Sequence, residues 1–186
     1  GDWSSDVCSS DLGGWLVCRG GVLLLQIGDK VVYPMHGAGV ISGIENCEVL
    51  GEGKSYYVLE MPLGNMKVMI PTDNADNVGL RDVIPEQKVN EVREVLEKEP
   101  EKPKGSWNKR FHANLDRMKS GDIDVAAVAR NLILQDRRRH ISSGERRLLD
   151  LAKQILVSEL VYACDKTPKE VENWLTSVLS ANAFAH

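Results

Sequence analysis

The chain has 186 residues, 42% of them hydrophobic, and a formal net charge of −4 at pH 7. That length holds one or two small domains with a real apolar core. No apolar run approaches the roughly 18 residues of a membrane span, and the acidic average argues against nucleic-acid binding.

The average hides two opposed segments. Residues 26–103 carry eight Lys/Arg and fourteen Asp/Glu, net −6, whereas residues 104–153 carry twelve and six, net +6. A basic face within an acidic protein can bind phosphate. A solvated helical face is the plainer reading of the same charges, and charge by itself does not choose.

Taken in chain order, the first 25 residues stand apart. Trp15-Leu16-Val17 and Leu23-Leu24-Leu25 suggest a signal peptide, but the leading charges are Asp2, Asp6 and Asp11, where a signal needs Lys or Arg. The run from Asp2 to Leu12 is similar to the conceptual translation of a sequencing-library adapter. Residues 1–25 are therefore set aside as a non-native extension.

From Gln26 to about Val83 the pattern is β. Val31-Val32-Tyr33 ends at Pro34, and Gly39-Val40-Ile41-Ser42-Gly43-Ile44 forms a second strand. The turn Gly51-Glu52-Gly53-Lys54 leads into Tyr56–Met61, and Pro62-Leu63-Gly64-Asn65 leads into Met66–Ile70, closed by Pro71. So many short strands predict a small closed barrel over residues 26–84, because closure removes exposed edges.

Residues 85–181 read as a compact helical bundle. Val89, Val92, Val95 and Leu96 form the first apolar stripe, and the Pro-rich run Glu99–Gly105 is a linker. Ser106 is placed to N-cap a helix with the stripe Trp107, Phe111, Leu115 and Met118, which Ser120-Gly121 stops. Val125, Val128, Ala129 and Leu132 mark the next. Ser142-x-x-Glu145 is a capping box opening a long helix, and Thr167-Pro168 opens the last with Pro at its first position. The fold class is α+β.

No catalytic constellation is visible. The four histidines are scattered, and Gly37-Ala38-Gly39 lacks the G-x-G-x-x-G frame of a phosphate loop. Asp122 and Asp124 read as cap and surface rather than an acid pair. Cys8, Cys18, Cys47 and Cys164 show no metal-ligand spacing and no C-x-x-C, so reduced thiols in a cytoplasmic protein are expected. An enzyme, a metal and a cofactor are all unexpected. The basic segment says more: Lys104, Lys109 and Arg110 flank Trp107, while Arg137–Arg139 and Arg146-Arg147 lie where two later helices meet. Helix N-termini and nearby cations favour phosphate. Trp107 is either an apolar wedge for a base step or, being in register with Phe111 and Leu115, part of the core. Spacing favours the core.

Several of these segments, in order from about Gln26 to Leu179, resemble the CarD/CdnL family of bacterial transcription regulators. They are Ile27–Pro34 with His36-Gly37, Gly79-x-Arg81-Asp82-Val83, Ser106–Phe111, Asn114-Leu115 with Ser120-Gly121-Asp122, and Leu132–Gln154 with its Ser142-x-Gly144-Glu145 frame. The resemblance implies a Tudor-like first domain that binds the β subunit of RNA polymerase through Cys47, Glu48, Val49, Met69 and Pro71. It implies a helical second domain that contacts promoter DNA at the upstream edge of the melted region through Trp107, Lys109, Arg110, His112, Arg146 and Arg147. Trp107 would then wedge into the minor groove and stabilise the open complex, against the core reading from spacing. Some relatives carry Arg where this chain has Cys47 and Met69, which shifts the expected polymerase contact towards backbone strand pairing. His112 replaces a usual Lys or Arg, which would make one phosphate contact pH-dependent. A monomer is expected. Two other classes stay open: an RNA- or ribosome-binding module using the barrel, and an interaction protein without DNA contact. Basic residues on the barrel would favour RNA; cations around an exposed Trp107 would favour promoter DNA.

Overall fold

The computed structural model describes residues 25–75 and 77–182. All of the extension set aside on sequence grounds, except Leu25, lies outside the described residues. Leu25 itself is buried in the sheet core beside Val31, Ile41, Tyr57, Leu59 and Ile70.

Five strands form one antiparallel sheet: β1 (Lys30–Tyr33), β2 (Gly37–Val49), β3 (Glu52–Glu60), β4 (Lys67–Pro71) and β5 (Arg81–Asp82), in the order β4-β3-β2-β1-β5. The β2–β3 hairpin is longer than its apolar pattern indicates. It turns at Leu50 and Gly51, whose φ values of 56° and 80° are both positive, as a two-residue type I′ turn requires. The outer halves of both strands are largely exposed, apolar Ile44 included, so they carry no clean alternation to read.

The closed barrel is not what forms. β4 pairs with β3 and β5 pairs with β1, and among the described residues nothing joins the two edges. β5 has two residues, too few to close a sheet, and it is tied instead to a helix through Arg81.

The helices are α1 (Glu86–Glu97), α2 (Trp107–Ser120), α3 (Asp122–Arg138), α4 (Ser143–Cys164) and α5 (Pro168–Ala181). Their stripes meet in one core that includes Val92, Leu96, Met118, Leu132, Leu148, Ile155, Leu160 and Leu179. Helices of this length need such mutual burial to persist. The expected capping box of Ser142 with Glu145 forms, and Thr167 with Glu170 makes a second at the start of α5. Ser106 holds the N-cap position of α2, but its hydroxyl makes no cap bond. The expected linker is pinned: the Glu101 amide donates to Asn131 Oδ1 at 3.0 Å, and its carboxylate takes Arg117 at 2.8 Å. Asp122 is not a surface residue. It is buried at the start of α3, and its Oδ2 has no partner.

Helix α4 joins bundle to sheet. The Ala38 amide donates to Ser158 Oγ at 2.9 Å, and Gln154 Nε2 donates to the His36 carbonyl at 2.9 Å. A Cβ at Gly37, whose φ is +118°, would stand 2.5 Å from Ser158 Oγ, so the close approach of β2 to α4 needs glycine there. One residue further on, Glu159 accepts both Arg81 guanidinium nitrogens, at 2.6 and 2.9 Å, and the Ile84 amide at 3.1 Å.

Candidate nucleic-acid interface

The cations of the basic segment converge where α2 and α4 begin. Trp107 is the first residue of α2 and Ser142 is the N-cap of α4. The indole Nε1 donates to Ser142 Oγ at 2.9 Å, which brings the two helix starts together. Lys109 on α2 and Arg146 and Arg147 on α4 are exposed within the first turns of these helices, and so is His112 one turn along α2. Two helix starts and four titratable or cationic side chains thus share one end of the bundle, an arrangement that attracts phosphate.

Trp107 is neither a core residue nor a free one. It is 41% exposed. Its ring stacks on Phe111 at 5.3 Å between centroids, with 19° between planes. The stripe read from spacing is real, but only Met118, at its far end, is fully buried.

The six residues expected to contact DNA divide by their partners. Lys109, His112 and Arg147 are exposed, and none makes an ion pair among the described residues. Arg146 is half-exposed and holds Asp136 at 2.8 Å; that hydrogen bond keeps the Asp136 carboxyl below the usual carboxylate range. Arg110 faces inward. It donates to the Gly105 carbonyl at 2.9 Å and pairs with Glu145 at 3.5 Å. Burial pushes the Glu145 carboxyl up, but hydrogen bonds from the Ser142 amide and hydroxyl and the charge of Arg110 outweigh it, so its pKa is lowered. Sequence reasoning missed Ser142 and Gly144 as parts of this site. The capping-box frame, with a glycine inside a helix's first turn, was the available signal.

On the sheet, cross-strand register puts Glu45, Tyr56 and Pro71 in one row and Gly43, Val58 and Met69 in the next. Strand alternation adds Cys47 to this face, opposite the one carrying Tyr57, Leu59 and Ile70. Met69 is 43% exposed there. Glu48 points to the other face, and the Val49 side chain lies outside the described residues. Cys47, Met69 and Pro71 thus share one face of the sheet, with Cys47 one row beyond Pro71 and two strands away, while Glu48 lies on the other face.

No group of three or more His, Cys, Asp or Glu among the described residues could hold a metal ion, and no described helix is long and apolar enough to cross a membrane. The chain thus joins an acidic sheet to a bundle with a basic, tryptophan-bearing end. Two family models match along the chain: the CarD-like/TRCF RID domain over residues 25–84 and the CarD C-terminal domain over residues 91–176. The chain is also 34% identical over 152 residues to the Bacillus subtilis (strain 168) protein named "Putative transcription factor YdeB", covering 81% of this chain and 99% of that protein. The chain belongs to the CarD/CdnL family and is a transcription regulator.

Proposed function

We propose that this regulator holds RNA polymerase through its sheet and promoter DNA through the starts of α2 and α4, and so stabilises the open complex. The observation that carries the reading is the half-exposed Trp107 ring among the exposed Lys109, Arg146 and Arg147. Cations in that position neutralise phosphates on either side of a groove, and an exposed apolar ring between them can enter an unstacked base step. The DNA in question is the upstream edge of the melted region, where a wedge opposes reannealing. On the polymerase side, the β subunit would dock against the β4 edge and the face carrying Cys47, Met69 and Pro71. Edge strands recognise partners through backbone hydrogen bonds, which tolerate changes of side chain.

The charge of the sheet weighs against the RNA alternative. Residues 25–84 carry four Lys/Arg, one of them Arg81 in its ion pair, against eight Asp/Glu. The function is tested with the full chain, purified polymerase holoenzyme and a promoter fragment. The expected result is capture of the chain by the β subunit and a longer open-complex lifetime, lost in Trp107→Ala. Capture without any change of lifetime would remove the DNA half of the reading.

A further inference from the structure

Trp107, though 41% exposed, is held closely by its own protein. The ring is fixed from three sides. Nε1 donates to Ser142 Oγ at 2.9 Å, Phe111 stacks on one face, and the ring's benzo edge lies over Gly144. A Cβ at Gly144 would stand 2.7 Å from Trp107 Cζ2, closer than real Cβ contacts occur, and an indole is not a flexible chain end that bends aside. Gly144 lies in the first turn of α4 with no left-handed backbone to require glycine, and glycine is the poorer helix former at such a place. The space above Gly144 belongs to the tryptophan.

Ser142 Oγ is fully committed as well. It accepts from Trp107 Nε1 and from the Glu145 amide at 3.2 Å, and it donates to Glu145 Oε2 at 3.0 Å. Glu145 Oε1 faces Arg110, whose guanidinium returns to the Gly105 carbonyl just before α2. The chain of contacts is closed: Trp107, Ser142, Glu145, Arg110, Gly105. It locks the start of α2 to the start of α4.

We propose that Gly144 and Ser142, braced by the Glu145–Arg110 pair, are positioning residues that set the orientation of the Trp107 ring before DNA arrives. This rests on the reading of Trp107 as a wedge. A side chain that inserts between bases must be ordered on binding unless it is ordered beforehand, and pre-ordering removes that cost from the complex. Arg110 is thereby a brace for the ring rather than a ligand for phosphate.

The test uses the full chain with 5-fluorotryptophan, RNA polymerase holoenzyme and a promoter fragment. The fluorine resonance of Trp107 is assigned by its loss in Trp107→Ala. Gly144→Ala should change the melting temperature little, because the helix-propensity gain offsets the loosened ring contacts, while it displaces the Trp107 resonance and shortens the open-complex lifetime severalfold towards that of Trp107→Ala. Ser142→Ala also removes the N-cap of α4 and should lower the melting temperature, but it should displace the resonance and shorten the lifetime in the same way, while Ser142→Thr, which keeps the hydroxyl, should restore both. A normal lifetime in Gly144→Ala and Ser142→Ala, with a short one in Trp107→Ala, overturns the positioning role and leaves the wedge standing. A normal lifetime in Trp107→Ala itself overturns both. Should Gly144→Ala fail to fold, the Ser142→Ala and Ser142→Thr pair decides alone.

Discussion

Arg81 and Glu159 form a two-pronged ion pair between the last strand and the longest helix, with nitrogen–oxygen distances of 2.6 and 2.9 Å and the carboxylate side chain 1% exposed. They are 78 residues apart in sequence. Burial alone would lower the Arg81 pKa, but the hydrogen bond and charge of Glu159, with Asp122 nearby, raise it. Removing one partner leaves an uncompensated charge in the interior, which typically costs about 3–5 kcal/mol. Arg81→Ala should destabilise the chain by about that much in urea unfolding. Arg81→Met combined with Glu159→Leu should recover part of the loss, but not all of it, because the Ile84 amide also depends on Glu159. A cost below about 1 kcal/mol for Arg81→Ala would show that the pair does not hold sheet and bundle together.

Truncating Trp107 should be cheap for a residue of its size. A core tryptophan changed to alanine costs about 3–5 kcal/mol. Trp107 is 41% exposed, so the loss reduces to one stacked pair and one hydrogen bond, together about 1–2 kcal/mol. Thermal unfolding of Trp107→Ala distinguishes the two values.

Salt titration should separate the phosphate contacts from the internal ones. Removing one phosphate contact lowers the slope of log K against log salt by about 1. Lys109→Ala and Arg147→Ala should each do this with little loss of stability, as both side chains are exposed. Arg110→Ala should instead lower the melting temperature and leave the slope nearly unchanged, since its guanidinium faces Glu145. Anisotropy of labelled promoter DNA across a potassium chloride series measures the slopes. Equal slope changes for Arg110 and Lys109 would place Arg110 on the DNA.

Acid should loosen the joint between α2 and α4. The folded-state pKa of Glu145 is lowered, so its contribution is present above the ordinary glutamate pKa of about 4.3. It is lost as pH falls through the lower folded value. The melting-temperature gap between the wild-type chain and Glu145→Gln should be constant at neutral pH and shrink below about pH 4.3. A gap independent of pH down to 3 would mean that the carboxylate charge contributes nothing.

The helices were legible because each carries its own signals within a few residues: an apolar stripe, a capping box, a proline at the first helical position. The tip of the β2–β3 hairpin was not, because its residues, Ile44 and Leu50 among them, are exposed and set up no alternation towards a core. The open sheet was misread as a barrel because short strands do not reveal what covers their edges. At the β5 edge Arg81 and Glu159 do so, and a pair 78 residues apart leaves no periodic trace. At the candidate site, Lys109, Arg146 and Arg147 were legible as charge. That Arg110 faces inward was not, since a basic residue reads the same whether it meets phosphate or glutamate. Trp107 fell between its two readings: stripe spacing gives the face of a helix but not how deeply a neighbour covers it.

Helix α4 touches both working regions, with Gly144 beneath the tryptophan at one end and Ser158 and Glu159 against the sheet near the other. At 1.5 Å per residue the separation along its axis is about 21 Å. The helix therefore acts as a ruler between whatever grips the sheet and whatever meets the indole. One residue inserted at its middle would turn the two ends by about 100° relative to each other. A whole added turn would nearly restore their phase and move the indole about 5 Å further from the sheet. On the proposed reading, the reach of this regulator is thus set in helical turns, by the length of α4 between Gly144 and Ser158.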